Sequence, residues 1–562
     1  MKTNIPIIKI FQLLAIIYLI VLLNAGYHQP ALIPRNTQSE RNLIRNSCES
    51  FRIKYSAAEN KGDISQIMAF FHEEIAIQFP GVHPIIGKEA VESFLTLVHT
   101  SSSINSSYIS NDIYMKGDYV IDTGQSIQTL TPKSGGDDKQ DSLFYKIKYS
   151  LMADSVIQII ELIFSTQDSP QLEIPTLPGP TGMYKVGVHE MLFEDSTRSE
   201  TFDFGSDQKR KVAIQVWYPV DPPQDAQPRK YQSKRLVDAT AHYYGWPRFL
   251  NSFMARMESN SYESVKILVQ PHLQYPVLLY NHGYSGFTAV HQSLYEDLAS
   301  HGYVVVSVGH AYESACFLLA AGDVEVFNPA NEELQKRNTE ATGTVQEALK
   351  DSVMYAENQE RRAFWYQKLI AESPYHNESV HLWVADNLFV IEKLSEANEE
   401  DSLFHSMLNL DNIGAFGHSL GGATAGQLVI SSKRIRAGIN YDGFQFGDLL
   451  SSELNKPFMF FAADRPWAGG STISNDVFYE QSNSPCYMVT VEGFQHSTFS
   501  DLILFNFNWA PGFSADVGFR NIEIQRVYTR AFFDRHLKQI RTEILNSPSE
   551  DYPELRIWSR NN

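Results

Sequence analysis

The chain has 562 residues, is 43% hydrophobic and 20% charged, and carries a formal net charge of −19. That length exceeds one ordinary core and predicts two domains. The composition excludes a disordered protein, and the acidic balance excludes an extended nucleic-acid footprint. Three cysteines, Cys48, Cys316 and Cys486, are too few for a disulfide scaffold. None stands in a Cys-x-x-Cys pair, and they read as buried thiols.

Residues 1–26 read as a targeting segment. Lys2 and Lys9 make a basic start, Leu13 to Leu23 is an apolar run, and Ala25 and Gly26 follow. The run has the length of a signal-peptide core and is short for a membrane span. Leu23 or Asn24 would stand three residues before the cut, a poor cleavage site, so signal peptide and N-terminal anchor stand as alternatives. Either one predicts a protein that is secreted, periplasmic or held on the outer side of a membrane. Asn105-Ser106-Ser107 and Asn377-Glu378-Ser379 are glycosylation sequons, which matter in a eukaryotic source.

The first domain is expected over 42–166. Ile44, Cys48, Phe51 and Tyr55 recur on one stripe of a helix that Gly62 ends. A second helix is expected from Ile64 to Phe71, a strand over Ile75–Phe79 and a third helix from Gly87. Three strand-like stretches follow: Tyr119–Thr131, Ser142–Met152 and Val156–Ser165. Helices and then a run of strands argue α+β. The stretches Ala57–Asp63, Ile86–Ala90 and Lys116–Gly124 resemble the SnoaL-like members of the nuclear transport factor 2-like superfamily. The resemblance implies a cone, with a curved sheet around a long helix, that serves as a binding module or a homodimer contact. No acid–base pair stands out in it. His83 and Asp122 are pocket candidates, or else structural residues.

Residues 167–180 form a connector. Pro170, Pro175, Pro178 and Pro180 deny it a strand ladder or a helix interior.

The second domain is expected over 181–562. Short apolar strands alternate with helical stretches: Lys211–Tyr218, Tyr275–Tyr280, Tyr303–Val308, Asn412–Phe416, Ala437–Tyr441, Phe458–Ala463 and Tyr487–Val491. That pattern predicts a mostly parallel sheet covered on both faces, with function on loops at the carboxyl ends of strands.

One such loop is Gly417-His418-Ser419-Leu420-Gly421. A strand, a tight turn with glycines two before and two after a serine, and then a helix make a nucleophile elbow. Bulky neighbours would collide where the turn lifts the serine clear of the backbone. Asn281-His282-Gly283-Tyr284 ends another strand. The backbone N–H of Tyr284 and that of Leu420 are the expected oxyanion donors. The base should follow the nucleophile. Only His496 and His536 do so; His496 directly follows a strand, whereas His536 reads as surface on a C-terminal helix. For the acid the residues leave two choices, Asp442 and Asp464, each just past a strand.

Several stretches resemble the plasma-type platelet-activating factor acetylhydrolase family of α/β-hydrolases. They are Pro180–Gly187, Gln215–Pro219, Asn281–Gly283 with Asp297–Tyr303, and Gly417–Gly422. The resemblance implies the acid on the earlier loop, hence a triad of Ser419, Asp442 and His496. Related polyester and dienelactone hydrolases use the later loop, which keeps Asp464 as the alternative. It also implies an ester or phospholipid substrate with a short or modified acyl chain, met at a membrane or lipoprotein surface. No metal ligand set and no cofactor motif are present, and none is expected.

Two insertions depart from a minimal hydrolase. Arg235–Met257 carries an apolar helical face from Trp246 onward, either lipid-facing or packed on the sheet. Asp323–Ser379 is charged and helical in pattern, a cap or a solvated insertion. The chain is expected to be a serine carboxylic-ester hydrolase. The rivals are a polyester or dienelactone-type hydrolase using Asp464, and a non-catalytic ligand-binding or assembly protein built on the first domain.

Overall fold

The computed structural model describes residues 38–562 apart from 153–154, 203–206, 271–272, 320–322, 328–330, 401–402, 464–474, 506–514 and 562. The apolar run read as a leader lies outside the described residues. The chain divides into two compact units. One is Met1–Thr176 with Lys230–Met257; the other is Leu177–Arg229 with Glu258–Asn562.

The first unit opens on α1 (Gln38–Lys61), which Gly62 ends in the left-handed region at φ 66°. Asp63 then caps α2 (Ile64–Ala69) by accepting from Gln66 N at 3.0 Å. There follow β1 (Phe71–Gln78), β2 (Ile85–Ile86), α3 (Lys88–Ser101), β3 (Ser102–Lys116), β4 (Tyr119–Pro132), β5 (Lys139–Met152) and β6 (Ser155–Ser165). They make one six-stranded sheet in the order β2-β1-β6-β5-β4-β3. The α1 stripe of Ile44, Cys48 and Tyr55 is buried on it. Two findings differ from the sequence pattern. β1 begins at Phe71 because it pairs with Ile159 of β6 there. β3 is a full strand although it is rich in serine and asparagine, because β4 pairs with it from end to end.

The face of α1 toward the sheet is also charged. Arg52 pairs with the fully buried Asp122, which also accepts from Ser110 Oγ at 2.6 Å and Tyr145 Oη at 3.1 Å. Two turns of helix further, Glu59 accepts from Tyr55 Oη at 3.2 Å and Tyr108 Oη at 3.0 Å. Burial pushes both carboxyls up. The two pocket candidates both have structural contacts: Asp122 is paired with Arg52, and the His83 ring packs on Phe253, centroids 4.5 Å apart.

Lys230–Met257 belongs to this unit, with α4 (Lys234–Tyr244) capped by Ser233 and ended by Gly245 at φ 65°. Its apolar face is covered. Phe253, Met254 and Met257 are buried, Phe249 meets Phe94, and Ser252 Oγ accepts from Ile86 N at 2.9 Å.

The second unit holds a ten-stranded sheet. Its strands are β7 (Lys185–Ser199), β8 (Lys209–Val220), β9 (Ser261–Glu263), β10 (Tyr275–Asn281), β11 (Val304–His310), β14 (Leu408–His418), β15 (Ile435–Tyr441), β16 (Phe458–Ala463), β17 (Cys486–Val491) and β18 (Leu555–Arg560). A small hairpin, β12 (Cys316–Leu318) with β13 (Val324–Val326), stands apart from it. The order is β18-β17-β16-β15-β14-β10-β11-β8-β7-β9. The centre from β11 through β10, β14, β15 and β16 to β17 is parallel. Parallel strands need crossovers, and helices supply them on both faces. Alternate residues of β10 show the two cores. Val277 and Leu279 pack with Trp383 on one side; Leu278 and Tyr280 pack with Tyr295 and Phe533 on the other.

The helices of this unit are α5 (Gln292–Ser300), α6 (Glu332–Ala341), α7 (Thr344–Met354), α8 (Gln359–Ala371), α9 (Pro374–Glu400), α10 (Leu420–Ser431), α11 (Asp476–Gln481) and α12 (Ala515–Leu537). The charged insertion Asp323–Ser379, read as helical, opens on β13 and continues as α6 to α8 and the start of α9. All three cysteines are free and buried. Among the described residues no helix is long and apolar enough to cross a membrane.

Candidate active site

The candidate residues gather at the carboxyl ends of the parallel strands. The register pairs Asn281 with Gly417, and His418 with Tyr441. Ser419 stands between β14 and α10 with φ 56° and ψ −120°, a conformation that side chains other than glycine avoid. Three bonds hold it there. Ser419 N donates to Tyr441 O at 2.9 Å, and Ser419 O accepts from Gly422 N at 2.9 Å and Ala423 N at 3.2 Å. Gly421 has no alternative, since a Cβ there would stand 2.0 Å from Asn281 O.

The turn after β10 leans on the elbow. A Cβ at Gly283 would stand 3.3 Å from Ser419 Cβ. Gly286 N closes the turn on Gly283 O at 2.8 Å, and Ser285 N donates to Glu313 O at 2.9 Å. Tyr284 follows Gly283 directly. Leu420 is the first residue of α10, so its N–H has no acceptor within the helix and lies at the positive end of the helix dipole.

Asp442 follows β15 at φ 51°. Its N donates to Phe461 O at 2.9 Å and its Oδ1 accepts from Ala463 N at 3.0 Å. Its Oδ2 is 2.7 Å from His496 Nδ1. His496 opens a 3-10 turn, His496–Thr498, fixed by reciprocal bonds between Gln495 and Thr498. The two partners differ in access: the Asp442 side chain is 3% exposed and that of His496 is 49% exposed. A shielded carboxylate behind an open imidazole is the arrangement that orients a base toward a substrate.

His418, the variable residue before the serine, is a contact that the motif does not announce. Its ring lies 4.5 Å from that of His496 and stacks on Phe499. Burial, and then the neighbouring His496, hold it well below the usual histidine range. It stays uncharged beside the other imidazole. His536 is not the surface residue the sequence suggested. It is half-buried, 3.1 Å from Tyr487 Oη and against Phe532, and burial pulls it down to about 4. Asp464 lies outside the described residues.

Comparison with known proteins bears on this geometry. The model of the family described as "Platelet-activating factor acetylhydrolase, isoform II" matches residues 168–514, more than half of the chain. Platelet-activating factor acetylhydrolase of Cavia porcellus is 23% identical over 336 residues, covering 58% of this chain and 69% of its own. A probable 1-alkyl-2-acetylglycerophosphocholine esterase of Arthroderma benhamiae is 22% identical over 414 residues, covering 67% of this chain and 92% of its own. Among solved structures, a ferulic acid esterase from Streptomyces cinnamoneus superposes with a TM-score of 0.52 at 22% identity, over 68% of this chain and 99% of its own. That likeness shows the fold, a mostly parallel α/β-hydrolase sheet. An elbow serine on such a sheet and a family match of this extent lead to one conclusion: the chain belongs to the platelet-activating factor acetylhydrolase, isoform II, family and is a serine ester hydrolase of that type.

Proposed function

We propose that the chain cleaves carboxylic esters with Ser419 as nucleophile, His496 as general base and Asp442 as the carboxylate that orients it. One observation carries the reading: the 2.7 Å contact of His496 Nδ1 with Asp442 Oδ2, next to an elbow serine in a strained conformation. With Nδ1–H donated to Asp442, Nε2 is the nitrogen that takes the serine proton. Ser419 Oγ attacks the ester carbonyl, and the oxyanion meets the N–H groups of Tyr284 and Leu420. His496 returns the proton to the leaving alcohol. Water, activated by the same ring, then releases the acid from the acyl-enzyme.

The names of the relatives support a short or modified acyl ester on a glycerophospholipid as the substrate class. The first unit, α+β with a long helix on a six-stranded sheet, fits a SnoaL-like module for binding or for pairing two copies. The leader over 1–26 fits a protein that works outside the cytosol, at a lipid surface.

The test is covalent labelling. Wild type and Ser419→Ala are treated with a fluorophosphonate probe and assayed on p-nitrophenyl esters from acetyl to long-chain acyl. Label and turnover confined to the wild type, with short chains preferred, are expected. A folded wild type that neither labels nor turns over would sink the reading.

A further inference from the structure

Behind the turn Asn281–Gly286 lies a buried polar network outside the proposed triad. His310, the last residue of β11, is fully buried. Its Nδ1 is 2.9 Å from Asp386 Oδ2, and its Nε2 is 3.0 Å from Asn281 Oδ1. The indole of Trp383 lies flat on the imidazole, centroids 4.0 Å apart at 9°. Asp386 is itself gripped by Arg210 at 2.7 Å and Arg198 at 2.9 Å. Burial works against its charge, but Arg210 and His310 hold the carboxyl well below the usual range.

The same face of α9 reaches the turn twice more. Asn387 Nδ2 donates to Asn281 Oδ1 at 2.6 Å and to Trp383 O at 2.8 Å. Trp383 Nε1 donates to Glu313 Oε2 at 2.7 Å, and Glu313 O is the acceptor for Ser285 N. Trp383, Asp386 and Asn387 are spaced to share one side of the helix. That side also packs on an apolar core, where a charge and an amide are costly unless their geometry is used. What they grip is Asn281, whose carbonyl is already wedged against Gly421 of the elbow.

We propose that His310 is a positioning residue for ester hydrolysis: backed by Asp386 and Trp383, it fixes Asn281 and so sets the depth of the Gly283–Tyr284 peptide over Ser419. The proposal rests on the reading of Tyr284 and Leu420 as oxyanion donors. A donor serves only when it stands within hydrogen-bond reach of the oxyanion, so a slip of a few tenths of an ångström weakens the transition state and leaves ground-state binding intact.

The test uses His310→Phe, which keeps the ring on Trp383 and removes both polar contacts, and His310→Gln, which restores a polar group toward Asn281. Both are compared with wild type on p-nitrophenyl acetate, with active sites counted by fluorophosphonate. The expected result for the Phe variant is kcat per labelled site down about 10- to 100-fold with KM within threefold, and a fluorophosphonate labelling rate reduced in parallel. The Gln variant should recover most of it. A Phe variant with unchanged kcat per site, whatever its melting temperature, overturns the proposal. If the Phe variant does not fold, Asn387→Ala, which removes the other polar contact to Asn281, decides: a fall in kcat with KM unchanged supports the role and an unchanged kcat overturns it. Failure of the wild type itself to label is a different result and rejects the serine mechanism instead.

Discussion

His496 and Asp442 meet at 2.7 Å across the ends of two neighbouring loops, the carboxylate shielded and the imidazole open. The Asp442 carboxylate has two jobs in this geometry. Its Oδ1 takes the N–H of Ala463, and its Oδ2 sets the tautomer of His496. Asparagine at 442 can keep the first bond but can present an amide N–H toward Nδ1, which favours the wrong tautomer. Asp442→Asn is therefore expected to lower kcat by about 10³–10⁴-fold with KM little changed. Asp464→Asn is expected to stay within threefold of wild type. Steady-state kinetics on a p-nitrophenyl ester checks both, and the reverse pattern would move the acid to the later loop.

Asp501 ties the loop carrying His496 to the start of α5. Its Oδ2 accepts from Ser293 N at 3.0 Å, and its N donates to Val290 O at 2.9 Å. It is fully buried, and burial pushes its carboxyl up to about 7. In the unfolded chain an aspartate titrates near 3.9. Between those values the folded protein holds a proton that the unfolded chain lacks, so this group makes stability fall as pH rises from about 4 to about 7, and no further above that. Asp501→Asn removes the term. The variant should gain on wild type between pH 5 and pH 8, by on the order of 2–3 kcal/mol. Melting temperatures of both proteins at the two pH values test it; a difference that does not grow with pH would contradict the shift.

In the first unit the pairing of Arg52 with Asp122 is nearly dry, the side chains 10% and 0% exposed. Removing one partner strands the other. Arg52→Met leaves Asp122 with Ser110 and Tyr145 as side-chain donors among the described residues and should cost about 3–5 kcal/mol. The double variant Arg52→Met with Asp122→Leu removes the stranded charge and should recover part of that loss. The readout is unfolding of the first unit followed in urea. A single variant as stable as wild type would mean that the pair contributes nothing there.

What could be read from the residues divides along physical lines. The elbow was legible because its constraint is local: glycine at 417 and 421 is a steric demand of the turn itself. The parallel strands were legible because burial on both faces writes continuous apolar runs. β3 was not, since Ser102–Lys116 is rich in serine and asparagine and owes its conformation to β4. His310, Asp386 and Asn281 are far apart in sequence, and only the sheet register and α9 bring them together. The one local trace was Asp386-Asn387 within an otherwise apolar helical stretch. Periodicity likewise marked an apolar face from Trp246 onward without saying whether lipid or protein covers it.

That covering is the basis of a last prediction. Lys230–Met257 leaves the hydrolase chain between β8 and β9 and is built into the first unit, where Phe253 is fully buried against His83. Truncating a buried phenylalanine leaves a cavity, so Phe253→Ala should destabilise the first unit by about 3–5 kcal/mol. The Ser419 elbow is built from β14, α10 and β15, none of which includes this segment. The fluorophosphonate labelling rate at 25 °C should therefore stay within twofold of wild type while the melting of the first unit moves down. A chain starting at 181 would keep Phe249, Phe253, Met254 and Met257 without the residues that bury them. It is expected to aggregate unless 230–257 is replaced by a short polar loop. A truncated hydrolase that stays monomeric with this segment intact, by size-exclusion chromatography with light scattering, would show that the segment folds on its own.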